Sequence, residues 1–321
     1  METIYGAGNA DIYNNGRLII ALGNFDGLHL AHREIIKRAR QKAVEEGLKS
    51  AVFTLDPHPV KVLYPHKNVL LLSTLQERAE KMSSMGIDYL IVERFTKELS
   101  TVPPFQFVRN YLVDTMKAAG VVVGFDYTFG RRGRGSAADL LRWGQKFNFM
   151  VDIVPPVTVG SEVVSSSLIR ILLAKGEVEE ASRYLGYCFE RRGRVIHGEG
   201  RGKIIGYPTA NLDIAPQLLL PAKGVYLSEV SWKNRKLFGL TNIGSKPTFN
   251  SGNETCVEVH LLDFEGNLYG EELKVVFLQR IREEKAFCDA GKLKKQIEQD
   301  LAFARKYIEN KYSDLKEKQC I

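Results

Sequence analysis

The chain has 321 residues, 44% of them hydrophobic and 26% charged, and a formal net charge of +7. That length exceeds what one hydrophobic core usually holds, so two domains are expected, and the composition is ordinary for a soluble globular protein with an anionic partner, either nucleic acid or nucleotides and phosphates. Four scattered cysteines, Cys188, Cys256, Cys288 and Cys320, form no CxxC pair, which argues against a structural zinc site or a disulfide scaffold and fits a reducing cytosol. The opening METIYGAGNADIYNNGR has no apolar core for a signal peptide, and runs such as VVVGF are too short to span a bilayer. A cytoplasmic chain without a membrane partner is expected.

Short apolar runs then alternate with amphipathic stretches. Strands are expected over 17–25, 50–55, 88–95, 120–125 and 148–156. A helix over 30–46 places Ile35, Ile36, Ala39 and Ala43 on one face, with Gly47 as its stop. Such alternation implies βαβ crossovers and a parallel sheet that binds ligands at the carboxyl ends of its strands. Residues 165–186 read as two short helices. Beyond about 190 come ERRGRVIH, GVYLSEVSW, KLFGLTNIG, TCVEVHLL and ELKVVFLQRI, separated by Gly, Pro and Asn, a spacing that predicts an antiparallel barrel or sandwich. A last helix, about 292–312, carries Leu293, Ile297, Leu301, Ala304 and Ile308 on one stripe. The domains expected are therefore 1–186 and 187–321, with no internal repeat.

GNFDGLHLAH (23–32) joins the first strand to the first helix, where backbone N–H groups and the helix dipole suit a phosphate. Gly23, Asn24, Phe25, Asp26 and Gly27 make the turn. His29 and His32, three apart, fall on one side of the first helical turn and can donate to phosphate oxygens. An isolated HxxH reads first as a helix cap, His29, beside a surface residue, His32, and a zinc reading lacks a third ligand. GFDYTFGRRGRG (124–135) is a strand end running into a glycine-rich loop with three arginines. In VSSSLIR (164–170), Ser165, Ser166 and Ser167 can cap a helix.

These strings share a resemblance. GNFDGLHLAH resembles the GxFDGxHxGH signature of nucleotidyltransferases that move adenylyl groups from ATP, and FDGLHLAHREII is similar to the bacterial flavin adenylyltransferases in particular. GFDYTFG resembles the GxDFxFG segment of that family, VSSSLIR its ISSTxxR motif, and DPHP (56–59) also matches. The resemblance implies a Rossmann-like domain in which His29, His32 and Arg170 carry adenylyl transfer, the Arg170 fork gripping the leaving pyrophosphate. Residues 23–27 and Ser165–Ser167 would bind the phosphates of ATP, and Asp126 and Phe129 the flavin. Two positions depart from the pattern. Ser167 replaces a threonine but keeps the hydroxyl, whereas Ala31 replaces the second glycine and puts a methyl group where backbone and ATP come close.

GRVIHGEGRGKIIGYPTANL (193–212) is neither standard phosphate loop, because His197 and Ile204 break Walker A and Lys203 breaks GxGxxG. Gly198, Gly200 and Gly202, with Lys203, could still fold around an anion, or simply make a hairpin. Thr209 and Asn211 of PTAN offer hard oxygen ligands to magnesium, or a turn. Glu258 and His260 share one face of TCVEVHLL. That face is solvent by default, but a carboxylate facing a site could take a proton from an alcohol.

GYPTANL, KGVYL, TNIGSKPTF, VEVHLLDF, LYG and QRIREEKAF together resemble riboflavin kinase. With the first half, the resemblance covers roughly residues 16–305 in order and is to the bifunctional bacterial riboflavin kinase/FAD synthetase family. It implies a six-stranded barrel with a final helix that makes FMN from riboflavin and ATP, and an N-terminal domain that turns FMN into FAD with a second ATP. Glu258 would activate the riboflavin 5′-hydroxyl, Thr209 and Asn211 would hold magnesium–ATP, and the 198–203 loop would cover the phosphates. Three other readings stay open: a kinase with weak or lost adenylyl transfer, a nucleotidyltransferase for another substrate, and a basic RNA-binding regulator on a flavin fold. The last lacks the aromatic–basic interleaving that stacks bases. Self-association is left open.

Overall fold

A computed structural model describes residues 1–9, 17–67, 69–248 and 252–318, so Cys320 lies outside the described residues. The chain divides into two compact units, Met1–Ser166 and Ser167–Ile321.

The first unit is built on β1 (Glu2–Tyr5), β2 (Leu18–Leu22), β3 (Lys49–Asp56), β4 (Tyr89–Arg94), β5 (Ala118–Gly124) and a sixth strand (Met150–Val154). They pair in the order β1-β4-β3-β2-β5 and then the sixth strand, all parallel. Of these only β1 departs from the expected set, because ETIY is too short and polar to show a periodicity. Every residue of β2 is buried. Its side chains alternate between two cores, Leu18, Ile20 and Leu22 beneath one face of the sheet and Ile19 and Ala21 beneath the other. Helix α1 (Leu30–Glu45) covers the second face with Ile35, Ile36, Ala39 and Ala43, as the sequence predicts. Between β3 and β4 run α2 (Pro59–Leu63) and α3 (Leu75–Ser84), whose Thr74 and Glu77 form a capping box. Between β4 and β5, α4 (Pro104–Phe107) passes into a π-helical stretch, Val108–Thr115. A small hairpin, β6 (Thr128–Phe129) and β7 (Gly135–Ser136), precedes α5 (Ala137–Phe147) and the sixth parallel strand, β8. A second hairpin, β9 (Thr158–Val159) and β10 (Glu162–Val163), follows.

Helix α6 (Ser166–Lys175) starts at the division between the units, and α7 (Val178–Leu185) follows. Both pack with the barrel: the Leu173 carbonyl accepts from Ala222 N at 2.9 Å and the Lys175 carbonyl from Arg280 Nη1 at 3.0 Å. The barrel comprises β11 (Glu190–Ile196), β12 (Ala210–Asp213), β13 (Gly224–Trp232), β14 (Arg235–Thr248), β15 (Gly252–Leu261) and β16 (Glu272–Glu283). It closes antiparallel in the order β11-β12-β15-β14-β13-β16, which leaves no edge strand exposed. The four-residue β12 arises inside PTAN, where the sequence shows only a turn or a ligand motif. One turn of helix, α8 (Arg201–Ile204), sits in the glycine-rich loop before it. The final helix α9 (Ala290–Lys318) lays Leu301, Ala304 and Ile308 against Val225, Leu227 and Leu240.

Candidate active sites

In the first unit the strand order reverses between β2 and β5, and an open parallel sheet holds its ligand crevice at that point, outside the carboxyl ends of the strands. The 23–32 turn leaves the end of β2 and the 125–129 segment leaves the end of β5. Three residues of the first turn have left-handed backbone: Phe25 (φ 53°), Gly27 (φ 81°) and Leu28 (φ 41°). Only glycine adopts this without cost, so Phe25 and Leu28 are strained, and their burial in the core beside α1 holds them there. Strain of this kind collects at ligand sites.

The Asp26 side chain turns into the protein. It is 3% exposed, and its carboxylate accepts from Leu72 N (3.0 Å to each oxygen), Ser73 N (3.0 Å) and Ser73 Oγ (3.2 Å). Gly27 N donates to the same Ser73 Oγ at 2.8 Å. A Cβ on Gly27 would stand 2.8 Å from Leu72 Cδ1, so glycine is required there by space as well as by φ. Asp26 is thus a brace between the turn and the 72–73 segment; a carboxylate turned outward would repel a triphosphate. Gly23 and Asn24 are half-buried, and Gly23 N donates to the Phe53 carbonyl at 3.2 Å.

His29 is the N-cap of α1, and its Nδ1 accepts from His32 N at 3.3 Å. That bond fixes the tautomer of a neutral His29 with its proton on Nε2, the atom from which a phosphate oxygen would accept. The two imidazoles stack with centroids 3.5 Å apart, and His32 meets the Phe25 ring edge-on at 5.4 Å. The sequence pair therefore becomes one rigid surface at a helix N-terminus. Ser166 Oγ donates to the Asp26 carbonyl at 3.0 Å, joining the serine segment to the turn. Ser165 is half-buried beside it, while exposed Ser167 and half-buried Arg170 fall in the second unit.

The flavin candidates separate. Asp126 is exposed just past β5, whereas Phe129 is buried against Phe107, Tyr127 and Trp143, with centroids 5.6, 5.7 and 6.1 Å away. Phe129 shapes the hairpin from within. The exposed aromatic of this segment is Phe125, 47% exposed, which sequence reasoning passed over because nothing in periodicity distinguishes the last residue of a strand from the first of a loop.

In the second unit, one wall of a cavity of about 500 Å³ carries the other candidates. On β15, Cys256, Glu258 and His260 alternate onto the cavity side. Glu258 stands directly across from Asn211 on β12 and from Asn242 on β14. The register therefore places a carboxylate between two amides on one face. His260 Nδ1 bonds the Pro208 carbonyl at 2.8 Å and steadies the segment carrying Thr209, which also lines the cavity. Gly198 lies against Asn211: a Cβ there would approach Asn211 Nδ2 to 2.1 Å, so a larger residue would require the Asn211 amide to move. Gly200 and Gly202 line the cavity as well, and Lys203 is exposed on α8. At the same cavity, Arg282 Nε donates to both oxygens of buried Asp300 (3.1 and 2.9 Å), fastening α9 to β16. Asn242 and Arg282 lie in segments whose chemistry was unread in the sequence, since cross-strand neighbours are set by register rather than spacing.

Among the described residues no group of three His, Cys, Asp or Glu could hold a metal ion. No helix among them is long and apolar enough to cross a membrane.

Known proteins align with both units. Residues 11–168 match the family model for FAD synthetase and residues 185–308 that for riboflavin kinase. A bifunctional riboflavin kinase/FMN adenylyltransferase of Listeria monocytogenes is 40% identical over 94% of this chain and 96% of its own length. The proteins of the same name from Bacillus subtilis and Escherichia coli K12 are 35% and 32% identical, covering 91% and 96% of this chain and 93% and 98% of theirs. A crystal structure from Streptococcus pneumoniae, titled a macrolide-efflux protein, superposes with a TM-score of 0.87 at 33% identity, covering 95% of this chain and 99% of that one.

Proposed function

Because the chain belongs to the bifunctional riboflavin kinase/FMN adenylyltransferase family, we propose a residue-level division of its two reactions. The barrel unit phosphorylates riboflavin to FMN with ATP, and the sheet unit adenylylates FMN to FAD, releasing pyrophosphate. We take 1–186 and 187–321 as the functional domains and the cytoplasm as their location.

In the barrel, Glu258 accepts the proton of the riboflavin 5′-hydroxyl as that oxygen attacks the γ-phosphorus of ATP and ADP leaves. Asn211 and Asn242, which flank it, orient the carboxylate and the alcohol. Thr209 and Asn211 supply the neutral oxygens that fit magnesium bound mainly through substrate phosphates, a pattern that needs only one or two protein ligands. The ion would neutralise charge on the phosphates; Gly198, Gly200, Gly202 and Lys203 would close over them. In the functional domain 1–186, the phosphates of ATP lie on the 23–32 turn, with His29 and His32 donating to them; Ser165, Ser166, Ser167 and Arg170 belong to the same domain by motif and are assigned to phosphate binding on that ground. Asp126 faces the flavin and Phe129 supports its hairpin from below. The FMN phosphate attacks the α-phosphorus without a covalent enzyme intermediate, so catalysis rests on position and charge.

The observation that carries this reading is the register Asn211–Glu258–Asn242 on the wall of one cavity. Glu258→Gln tests it. The variant is expected to lose FMN formation from riboflavin while still converting supplied FMN to FAD, both followed by chromatography. Equal loss of both reactions in a folded protein would remove Glu258 from the role.

A further inference from the structure

A cation that the sequence reading omits lies beneath the 23–28 turn. Arg78, near the start of α3, is 2% exposed. Among the described residues its guanidinium hydrogen-bonds to uncharged oxygens: Nη1 donates to the Asn24 carbonyl and to Thr54 Oγ1 (3.3 Å), and Nε to the Thr74 carbonyl (3.4 Å). Thr54 Oγ1 donates to the same Asn24 carbonyl at 3.3 Å, so two donors hold that oxygen. The carboxylate oxygen paired with it, Asp56 Oδ1, stands 3.9 Å from Nη2 on a half-exposed side chain, beyond hydrogen-bond reach. The Asp26 carboxylate is taken up by the Leu72 and Ser73 amides.

A buried charge without a hydrogen-bonded counter-ion is costly, and it leaves positive potential in its low-dielectric surroundings. Burial pulls the Arg78 pKa below the ordinary arginine value, while Asp26 and Asp56 act in the opposite sense. A guanidinium nonetheless stays protonated in the working range. A helix interior in a stable sheet domain has no need of such a group. A turn that seats a polyanion does.

We propose that Arg78 is a positioning residue of adenylyl transfer, holding the Asn24 carbonyl turned inward, away from the phosphates, and providing a fixed positive charge beneath the triphosphate of ATP. The proposal rests on the reading that the 23–32 turn receives those phosphates. Arg78 does not touch the reacting atoms; it acts through the turn. Together with Asp26, Ser73 and Leu72, it makes the 72–78 segment the mould of the phosphate site.

The test measures FAD synthesis from FMN and ATP in the full chain, with FMN formation by the same sample as control and thermal unfolding as the check on folding. Arg78→Gln keeps a donor and removes the charge. It is expected to lower kcat/KM for ATP and weaken inhibition by pyrophosphate on the order of a hundredfold, the scale of one preorganised electrostatic contact, with KM for FMN unchanged. Arg78→Lys keeps the charge without the fork and should recover most of that loss, leaving a deficit of about tenfold. Equal deficits in the Lys and Gln variants, or a wild-type value in either folded variant, would overturn the proposal. If the Gln variant does not fold, the Lys variant decides by the same criterion; failure of both to fold would assign Arg78 to stability alone and also overturn it. His29→Ala and His32→Ala, assayed in parallel, separate the two levels. Impaired histidine variants beside unaffected Arg78 variants sink only this inference, whereas unimpaired histidine variants sink the phosphate site itself.

Discussion

At the scale of single residues, several polar groups of the 23–32 turn are engaged in holding the turn itself. Of its polar members, Asp26 faces the protein, His29 caps a helix, and the two imidazoles stack on each other. His29→Ala and His32→Ala should each slow FAD formation on the order of a hundredfold, the usual loss of one transition-state donor. Kinase activity should be intact, and single-turnover FAD synthesis reads the difference. Ala31 stands at the second position of α1, between the histidines and half-buried. If the phosphates bind the turn as proposed, Ala31→Gly removes a methyl group beside them and is expected to lower KM for ATP in FAD synthesis, at a stability cost of up to about 1 kcal/mol. Kinetics and thermal unfolding report the two effects separately.

At the scale of elements, the parallel sheet is pinned at the amino ends of its strands, away from the site. Asp88, just before β4, accepts from Ser50 N (3.0 Å) and Ser50 Oγ (2.6 Å) on β3, with Lys49 Nζ at 3.0 Å. Burial pushes its carboxyl up, but the Ser50 and Lys49 hydrogen bonds outweigh that and hold it below the usual carboxylate range. A carboxyl with a depressed folded-state pKa stabilises the protein fully above its unfolded value near 4. That contribution fades as pH falls toward the lower folded-state value. Asp88→Asn should therefore cost about 1 kcal/mol at neutral pH, and the gap between variant and wild type in urea unfolding should shrink on acidification. A gap that widened in acid would contradict this reading of the Ser50–Asp88 tie. In the barrel the Arg282–Asp300 pair has the corresponding role for α9, which brings Leu293 and Ile297 to the cavity.

At the scale of the whole molecule, the product of one unit is the substrate of the other. With riboflavin and excess ATP, FMN is expected to rise first and FAD to follow after a lag, with pyrophosphate appearing in step with FAD rather than with FMN. Pyrophosphate released during FMN formation would contradict the division, because a kinase step yields ADP. The helical residues 167–185 belong by packing to the barrel unit, although the motif at their start resembles the adenylyltransferase half. Sequence boundaries follow motifs, and packing boundaries follow buried surface.

The alternation of apolar runs was enough to call a parallel sheet followed by an antiparallel array, because periods of 2.0 and 3.6 are written locally. The same holds for the buried face of α1 and for the stripe of α9. Ordered motifs carried the family and named Glu258, His29, His32 and Asn211. What the sequence could not carry was which polar group faces which neighbour. Asp26 and Phe129 point inward, β12 forms inside an apparent turn, and Asn242 reaches Glu258 only through strand register. Arg78 sits in an amphipathic helix where an arginine ordinarily faces solvent. Only the packing of α3 under the turn buries it, since a contact across 54 residues leaves no local trace and depends on the chain's long-range closure.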